Sequence, residues 1–385
     1  MPKIFVLADD LTGAAEIGGV AFQYGLSVRL LLEPVENDQY PEDVIIVDSD
    51  TRSLSPEQAE MKISAIISRI NLQEFGLVFN KVDSILRGPV IAGIRSLLRR
   101  YDLNRAFLVP ANPSRNRTVR GGKYYVGDRT INHTDFRFDP EYPRLSETVS
   151  ELIIDNSGVI LTGTLTDQDT SGKVVVPDIT SEDDMHSFVS GLSGEGVLLA
   201  GASDFFRDIL RLRMNLQPGQ LKMPFRKAEF NHFIIGSHAE NTKKTIDILT
   251  RKNYSVLHLP LSAIDIQADF DEWISHVKIE LGAGRQIVVA GPAKNVEDKL
   301  KVKKISTRLI DAAKIFLEKK SDNTQLFIEG GETASLFFRS MGWLDLQIHQ
   351  TWDAGGIVLL CTHVSDTFVA IKPGSYSWPD SVLNG

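Results

Sequence analysis

The chain has 385 residues, with 42 Lys and Arg against 50 Asp and Glu, for a formal net charge of −8. At roughly 100–200 residues per domain that length suggests two or three domains, and 42% hydrophobic with 24% charged residues excludes a globally disordered chain. The acidic balance argues against a whole-chain grip on nucleic acid or anionic lipid. The single cysteine, Cys361, excludes an internal disulfide framework and a cysteine-built zinc site, and fits a reducing, cytoplasmic setting.

In chain order, the apolar stretch at residues 4–8 meets Asp9 and Asp10 at once. It is too short for a signal peptide and reads as a first strand. No run reaches the roughly 18 apolar residues of a membrane span, so no membrane partner is expected. A helix is expected from Ala14 to Tyr24. Residues 44–47, 77–79 and 106–109 read as further strands, with 174–176 and 197–199 later. Their continuous β-branched character suits parallel strands covered on both faces. Between them, Ser55-Pro56-Glu57-Gln58 starts a helix, with Ser55 as cap and Gln58 completing a capping box. Ala59, Ile63, Ile66, Ile67 and Ile70 give it one apolar face. Residues 90–100 read as another helix, as do residues 207–216.

A Pro- and Gly-containing break near 217–224 separates this half from a second strand series at 233–235, 256–259, 287–290, 326–328, 357–360 and 368–371. Alternating strands and helices imply α/β architecture. The expected fold is two domains, 1–225 and 226–385, each a mainly parallel sheet flanked by helices. The active site is expected in the cleft between them.

Ligands in open α/β sheets bind beyond the carboxyl ends of the strands. In the first half that rule collects Asp9, Asp10, Thr12, Asp48, Asp50, Arg52, Lys81, Asp83, Ser84 and Arg87. Mixed carboxylates, cations and hydroxyls at one rim suit a small polyhydroxylated anion. Arg52 and Lys81 are placed to hold a carboxylate, and Asp9 or Asp10 to accept a hydroxyl proton. The plainer alternative is that these residues only cap helices: Asp10 or Thr12 the helix from Ala14, Asp83 or Ser84 the helix from Val90.

In the second half the rule collects Ser237 and His238 after Gly236, then Gly291-Pro292, the turn Glu329-Gly330-Gly331-Glu332-Thr333, and Gly374 after Lys372. Two glycines entering a helix let backbone N–H groups approach a phosphate. Neither a Walker A sequence nor a GxGxxG fingerprint occurs. The basic segment Arg115, Arg117, Arg120 and Lys123 is too short a patch on an acidic chain to indicate nucleic acid. Two readings stay open for it, a solvated loop and, favoured, a loop that steers a phosphate or carboxylate over the site.

Taken together, Ala8-Asp9-Asp10-Leu11-Thr12-Gly13-Ala14, Lys81-Val82-Asp83-Ser84-Ile85-Leu86-Arg87-Gly88, Gly236-Ser237 and Gly330-Gly331-Glu332-Thr333 resemble the four-carbon acid sugar kinase family. The resemblance runs from Ile4 to about Tyr376. It implies ATP-dependent phosphorylation of an acid such as threonate or erythronate, with Mg²⁺ on the phosphates. It further implies that Asp10, Arg52, Lys81, Val82, Asp83 and Ser84 bind the acid, with Asp10 as catalytic base, and the strand-end rule adds Asp9 and Arg87. Ser237, Gly330, Gly331, Glu332, Thr333 and Gly374 would bind nucleotide. The chain departs from the family pattern at Ala15–Gly18, Ile85, Ala111–Pro113 and Pro373–Ser377. The expected partner is a small sugar acid, and a homo-oligomer is compatible with the sequence. Two other readings remain open on residues alone: a nucleotide-dependent dehydrogenase of a sugar acid, against which the missing GxGxxG speaks, and a non-catalytic sugar-acid sensor.

Overall fold

The computed structural model describes residues 2–34, 40–139, 141–155, 157–162, 174–192, 196–219, 228–236, 240–294, 296, 298–318, 324–352, 357–362, 367–374 and 376–383. The chain divides into two compact units, Met1–Gln220 and Leu221–Gly385.

Among the described residues, the first unit is built on eight parallel strands. β1 (Lys3–Ala8) lies between β3 (Val44–Asp48) and β4 (Phe75–Lys81), and β2 (Val28–Leu31) lies outside β3. On the other side of β4 the order runs to β11 (Val197–Gly201), β5 (Arg105–Val109), β10 (Val174–Pro177) and β9 (Val159–Thr162). Strands β1, β3 and β5 carry almost uninterrupted buried apolar residues, as expected for a parallel sheet covered on both faces. A separate antiparallel ribbon of β6 (Arg117–Arg120), β7 (Lys123–Val126) and β8 (Arg129–Thr130) follows β5.

Helix α1 (Leu11–Gln23) carries the chain from β1 past β3 to β2. Helix α2 (Pro56–Ser68) carries it from β3 past β1 to β4. These crossovers run in opposite directions, so right-handedness puts them on opposite faces. Accordingly α2 packs with α3 (Val90–Tyr101), and α1 packs with α6 (Ser203–Asp208). The loops after β1 and β3 therefore part, which makes the switch point where such sheets bind ligands. The remaining helices of this unit are a single turn, α4 (Val149–Leu152), and α5 (Glu182–Gly191), capped by Ser181.

The expected capping box forms at α2: Ser55 Oγ accepts from Gln58 N at 3.3 Å and Gln58 Oε1 from Ser55 N at 3.2 Å. The expected helix over 207–216 does not run through. Helix α6 ends at Asp208, and Ile209–Arg213 continues as a wider turn in which Met214 N reaches Ile209 O at 3.2 Å.

The second unit has five parallel strands in the order β13 (Ser255–His258), β14 (Ile287–Ala290), β12 (Phe230–Ile235), β15 (Thr324–Glu329) and β18 (Phe368–Lys372). Antiparallel β17 (Ile357–Thr362) and β16 (Asp345–Trp352) extend it beyond β18. Helices α7 (Glu240–Arg251), α8 (Gln267–Gly282), α9 (Lys299–Glu318), α10 (Gly331–Ser340) and α11 (Asp380–Leu383) connect or follow these strands. Phe233 stacks on Phe327 at 4.6 Å, and the Trp378 ring meets both edge-on. Both units are thus mainly parallel sheets flanked by helices, as expected.

Candidate active site

The switch point of the first unit holds the expected residues. Register pairs Ala8 with Asp48 on one side and with Lys81 on the other, so the residues after β1, β3 and β4 emerge together. The loop after β3 is tied down by Ser49 N to Ala8 O at 2.9 Å and Thr51 N to Asp9 O at 3.0 Å. Asp10 caps α1: its Oδ1 accepts from Gly13 N at 2.8 Å and its Oδ2 from Thr12 Oγ1 at 2.6 Å.

Arg52 is not the open carboxylate clamp expected from the sequence. Its Nε and Nη2 grip Asp9 at 2.9 and 3.1 Å, and its Nη1 donates to Asp10 Oδ2 at 2.5 Å. A planar fork matches carboxylates so well that two adjacent aspartates consume it. Burial pushes the Asp9 carboxyl up and Asp10 adds to this, against the pull of Arg52. Lys81 is also engaged: it is buried, ion-pairs with Glu16 at 3.4 Å and donates to Val82 O at 3.0 Å. The Val82 side chain is buried, and its N–H bonds Gly201 O at 3.1 Å.

Asp83 and Ser84 do not cap α3, whose N-cap is Pro89. Asp83 receives Arg87 instead, through Nε at 3.0 Å, Nη2 at 2.9 Å and the backbone N at 3.1 Å. Burial alone would raise its carboxyl, but Arg87 and Arg52 overcome that and hold it well below the ordinary range. The turn is strained at Leu86, a buried residue at φ 63°, a conformation costing on the order of 1–3 kcal/mol that clusters at functional sites.

Several partners were not visible in the sequence. Asp139 takes the remaining side of Arg87 at 3.3 Å, Tyr142 Oη donates to Arg52 O at 2.5 Å, and Arg117 donates to Ser84 Oγ. All three come from residues 111–155, at separations no local pattern reports. The basic segment is resolved residue by residue. Arg120 covers the Tyr125 ring at 4.5 Å, Lys123 pairs with Glu147, and Arg117 reaches Ser84 beyond β4.

In the second unit, β15 ends at Glu329 and α10 begins at Gly331. Gly330 stands between them at φ 111°, a backbone region that L side chains avoid. The glycine requirement therefore lies at Gly330, while Gly331 is the first helical residue. Gly236 packs against the turn: a Cβ there would lie 2.0 Å from Thr333 Oγ1. Thr333 is buried, Glu332 exposed and Gly374 half-buried. Ser237 and His238 lie outside the described residues.

Beneath the turn, Lys372 Nζ meets Glu329 Oε2 at 2.8 Å with both side chains fully buried. Glu329 also accepts from Trp378 Nε1 at 3.1 Å and from Thr242 Oγ1. Among the described residues, no cluster of three His, Cys, Asp or Glu side chains could hold a metal ion.

A family model described as the sugar-binding N-terminal domain matches residues 4–209. The chain belongs to that family. The match covers β1 to α6 and with them every acid-site residue expected from the sequence. Among curated relatives, a D-threonate kinase of Salmonella typhimurium is 27% identical over 39% of this chain and 36% of its own length. A D-erythronate kinase of Heliobacterium modesticaldum is 26% identical over 74% of this chain and 67% of its own. A 3-oxo-tetronate kinase of Pectobacterium atrosepticum is 28% identical over 37% and 35%. The chain thus spans little more than a third of the first of these relatives, and the resemblance drawn from its motifs is borne out at the level of the family. Solved structures from Salmonella typhimurium and Haemophilus influenzae share the family fold, with TM-scores of 0.78 and 0.71 at 17% and 20% identity. They cover 100% and 99% of this chain, and 98% and 99% of their own.

Proposed function

We propose that the chain is an ATP-dependent kinase that phosphorylates a hydroxyl of a four-carbon sugar acid, as its relatives' names indicate for them. The observation that carries this reading is the Asp9–Asp10–Arg52 constellation at the switch point of the first unit. An ionised carboxylate offers about four acceptor sites. Three donors occupy Asp10: Gly13 N, Thr12 Oγ1 and Arg52 Nη1. The direction left over suits a substrate hydroxyl whose proton Asp10 accepts during transfer. Arg52 keeps both aspartates in place, and Lys81, Asp83, Ser84 and Arg87 line the same rim.

The donor nucleotide is assigned to the Gly330–Thr333 turn. The backbone N–H groups at the start of α10 and the helix dipole favour phosphate there. Glu329, Lys372 and Trp378 hold the strand ends that carry the turn. A Mg²⁺ ion bound with the nucleotide would neutralise phosphate charge during transfer.

The test is an ATP-consumption assay against four- to six-carbon sugar acids, with the phosphorylated product followed by phosphorus NMR. ATP-dependent turnover of threonate, erythronate or a related acid is expected. Acid-dependent reduction of a nicotinamide cofactor without ATP use would replace the reading with a dehydrogenase, and binding without turnover would replace it with a sensor.

A further inference from the structure

An anionic acceptor needs a cation with donors to spare, and the cations expected to hold it are already committed. Asp9, Asp10, Glu16, Asp83 and Asp139 take up Arg52, Lys81 and Arg87 in ion pairs. Arg144, packed nearby, gives Nε to Tyr142 O at 2.7 Å and Nη1 to the carbonyls of Leu86 and Leu152 at 3.1 and 3.2 Å.

Arg117 differs from the three ion-paired cations, and from Arg144, whose donors go to backbone carbonyls. Its guanidinium donates to the neutral hydroxyl of Ser84 and lies over the Phe136 ring at 5.4 Å, with no carboxylate partner among the described residues. Its backbone is fixed. Arg117 N donates to Asn112 O at 3.1 Å and Asn112 N to Arg117 O at 2.8 Å. Asn112 Oδ1 in turn accepts from Asp204 N at 2.9 Å, at the start of α6. The Tyr124 hydroxyl is buried without a hydrogen-bond partner among the described residues, close enough to Arg117 and Asp83 for both charges to act on it. This is a pre-positioned fork with donors left open.

We propose that Arg117, with Ser84, binds the carboxylate of the substrate and thereby sets the preference for sugar acids over neutral polyols. The inference rests on the kinase reading above and names the specificity residue of that site. A planar fork takes a carboxylate through two parallel N–H bonds. The Arg117 charge, not taken up by an ion pair among the described residues, also attracts an acid to a rim otherwise rich in carboxylates.

The test titrates threonate and erythronate, and their neutral amides, into the parent, Arg117→Gln and Arg117→Lys by calorimetry without ATP. ATP-coupled turnover is measured separately. Arg117→Gln is expected to weaken acid binding by roughly 10–100-fold, the usual scale for hydrogen bonds to a charged group, with amide binding unchanged. Arg117→Lys should fall between the two. Retained amide binding shows that the site is folded. Acid and amide affected alike, or neither affected, overturns the assignment while parent turnover leaves the kinase reading standing. Acid binding that depends on Arg117 without any turnover keeps the carboxylate site and removes the kinase. A parent that binds no acid removes both.

Discussion

At the strand ends of the first unit, ionisable side chains crowd together: Asp9 and Asp10 on Arg52, Asp83 on Arg87, Glu16 on Lys81. Among the described residues of the second unit, a glycine turn covers the sealed ion pair Glu329–Lys372, and the helix that follows begins with backbone N–H groups. The contrast follows the two ligands proposed. A sugar acid presents hydroxyls and a carboxylate that only oriented side chains can tell apart. A phosphate chain presents equivalent oxygens that a helix N-terminus can hold. The first unit gathers charge at its strand ends, where the substrate is proposed to bind, and the second buries its charge beneath a backbone turn.

The contrast is broken most directly at Asp10. Asp10→Asn keeps an N-cap oxygen for Gly13 N, so α1 should remain capped, while the proton acceptor is lost. We expect kcat to fall by roughly 10²–10⁴-fold with ATP affinity unchanged. Steady-state kinetics with near-parental kcat would remove Asp10 from the chemistry.

The second unit should respond in stability instead. All four tryptophans, at 273, 343, 352 and 378, lie within it, so intrinsic fluorescence reports its unfolding alone. Lys372→Met leaves Glu329 buried without its cation. Urea unfolding followed by fluorescence should show a loss of about 3–5 kcal/mol, the usual cost of breaking a buried pair. A loss below about 1 kcal/mol would mean that Trp378 and Thr242 suffice to satisfy Glu329.

A smaller effect sharpens the same contrast through pH. Burial pulls the His232 imidazole from 6.5 down to about 4, and its Nδ1 accepts from Ile287 N at 3.2 Å. The unfolded chain takes up this proton at higher pH than the folded one. Stability is therefore full above pH 6.5 and falls as pH drops toward 4. Between pH 7.5 and 5 this group should cost about 2 kcal/mol. His232→Asn, whose Oδ1 can accept the same bond, should flatten the fluorescence-detected stability profile by that amount over the interval. An unchanged slope would assign the acid sensitivity to other groups.

Much of this was legible in the sequence, and what was missed has physical reasons. The strands of the parallel sheets announce themselves because burial on both faces demands unbroken apolar runs, as in β3 and β14. The cap of α2 is local chemistry. By contrast β16 alternates buried and half-buried residues through Gln347, His349 and Gln350 and has no apolar run to notice. Strand β2 is four residues long with Arg29 inside it.

At the site, strand-end logic found Asp9, Asp10, Arg52 and Lys81 but misread what Arg52 does. Its partners sit 42 and 43 positions away, and only the β1–β3 register brings them together. The Glu329–Lys372 pair is hidden in the same way until β15 and β18 align those two residues. At the turn, sequence alone could not say which of two glycines bears the positive φ.

If acid and nucleotide are held by different units, Gly236→Ala separates their binding most directly. The added methyl would collide with Thr333 Oγ1 and displace the turn, far from every residue of the acid site in sequence. Calorimetric titration of this variant with ATP and, separately, with threonate or erythronate should show nucleotide affinity reduced by roughly tenfold or more, a scale of 1.4 kcal/mol, and acid affinity equal to that of the parent. ATP binding as tight as the parent's, or an equal loss for both ligands, would contradict the account.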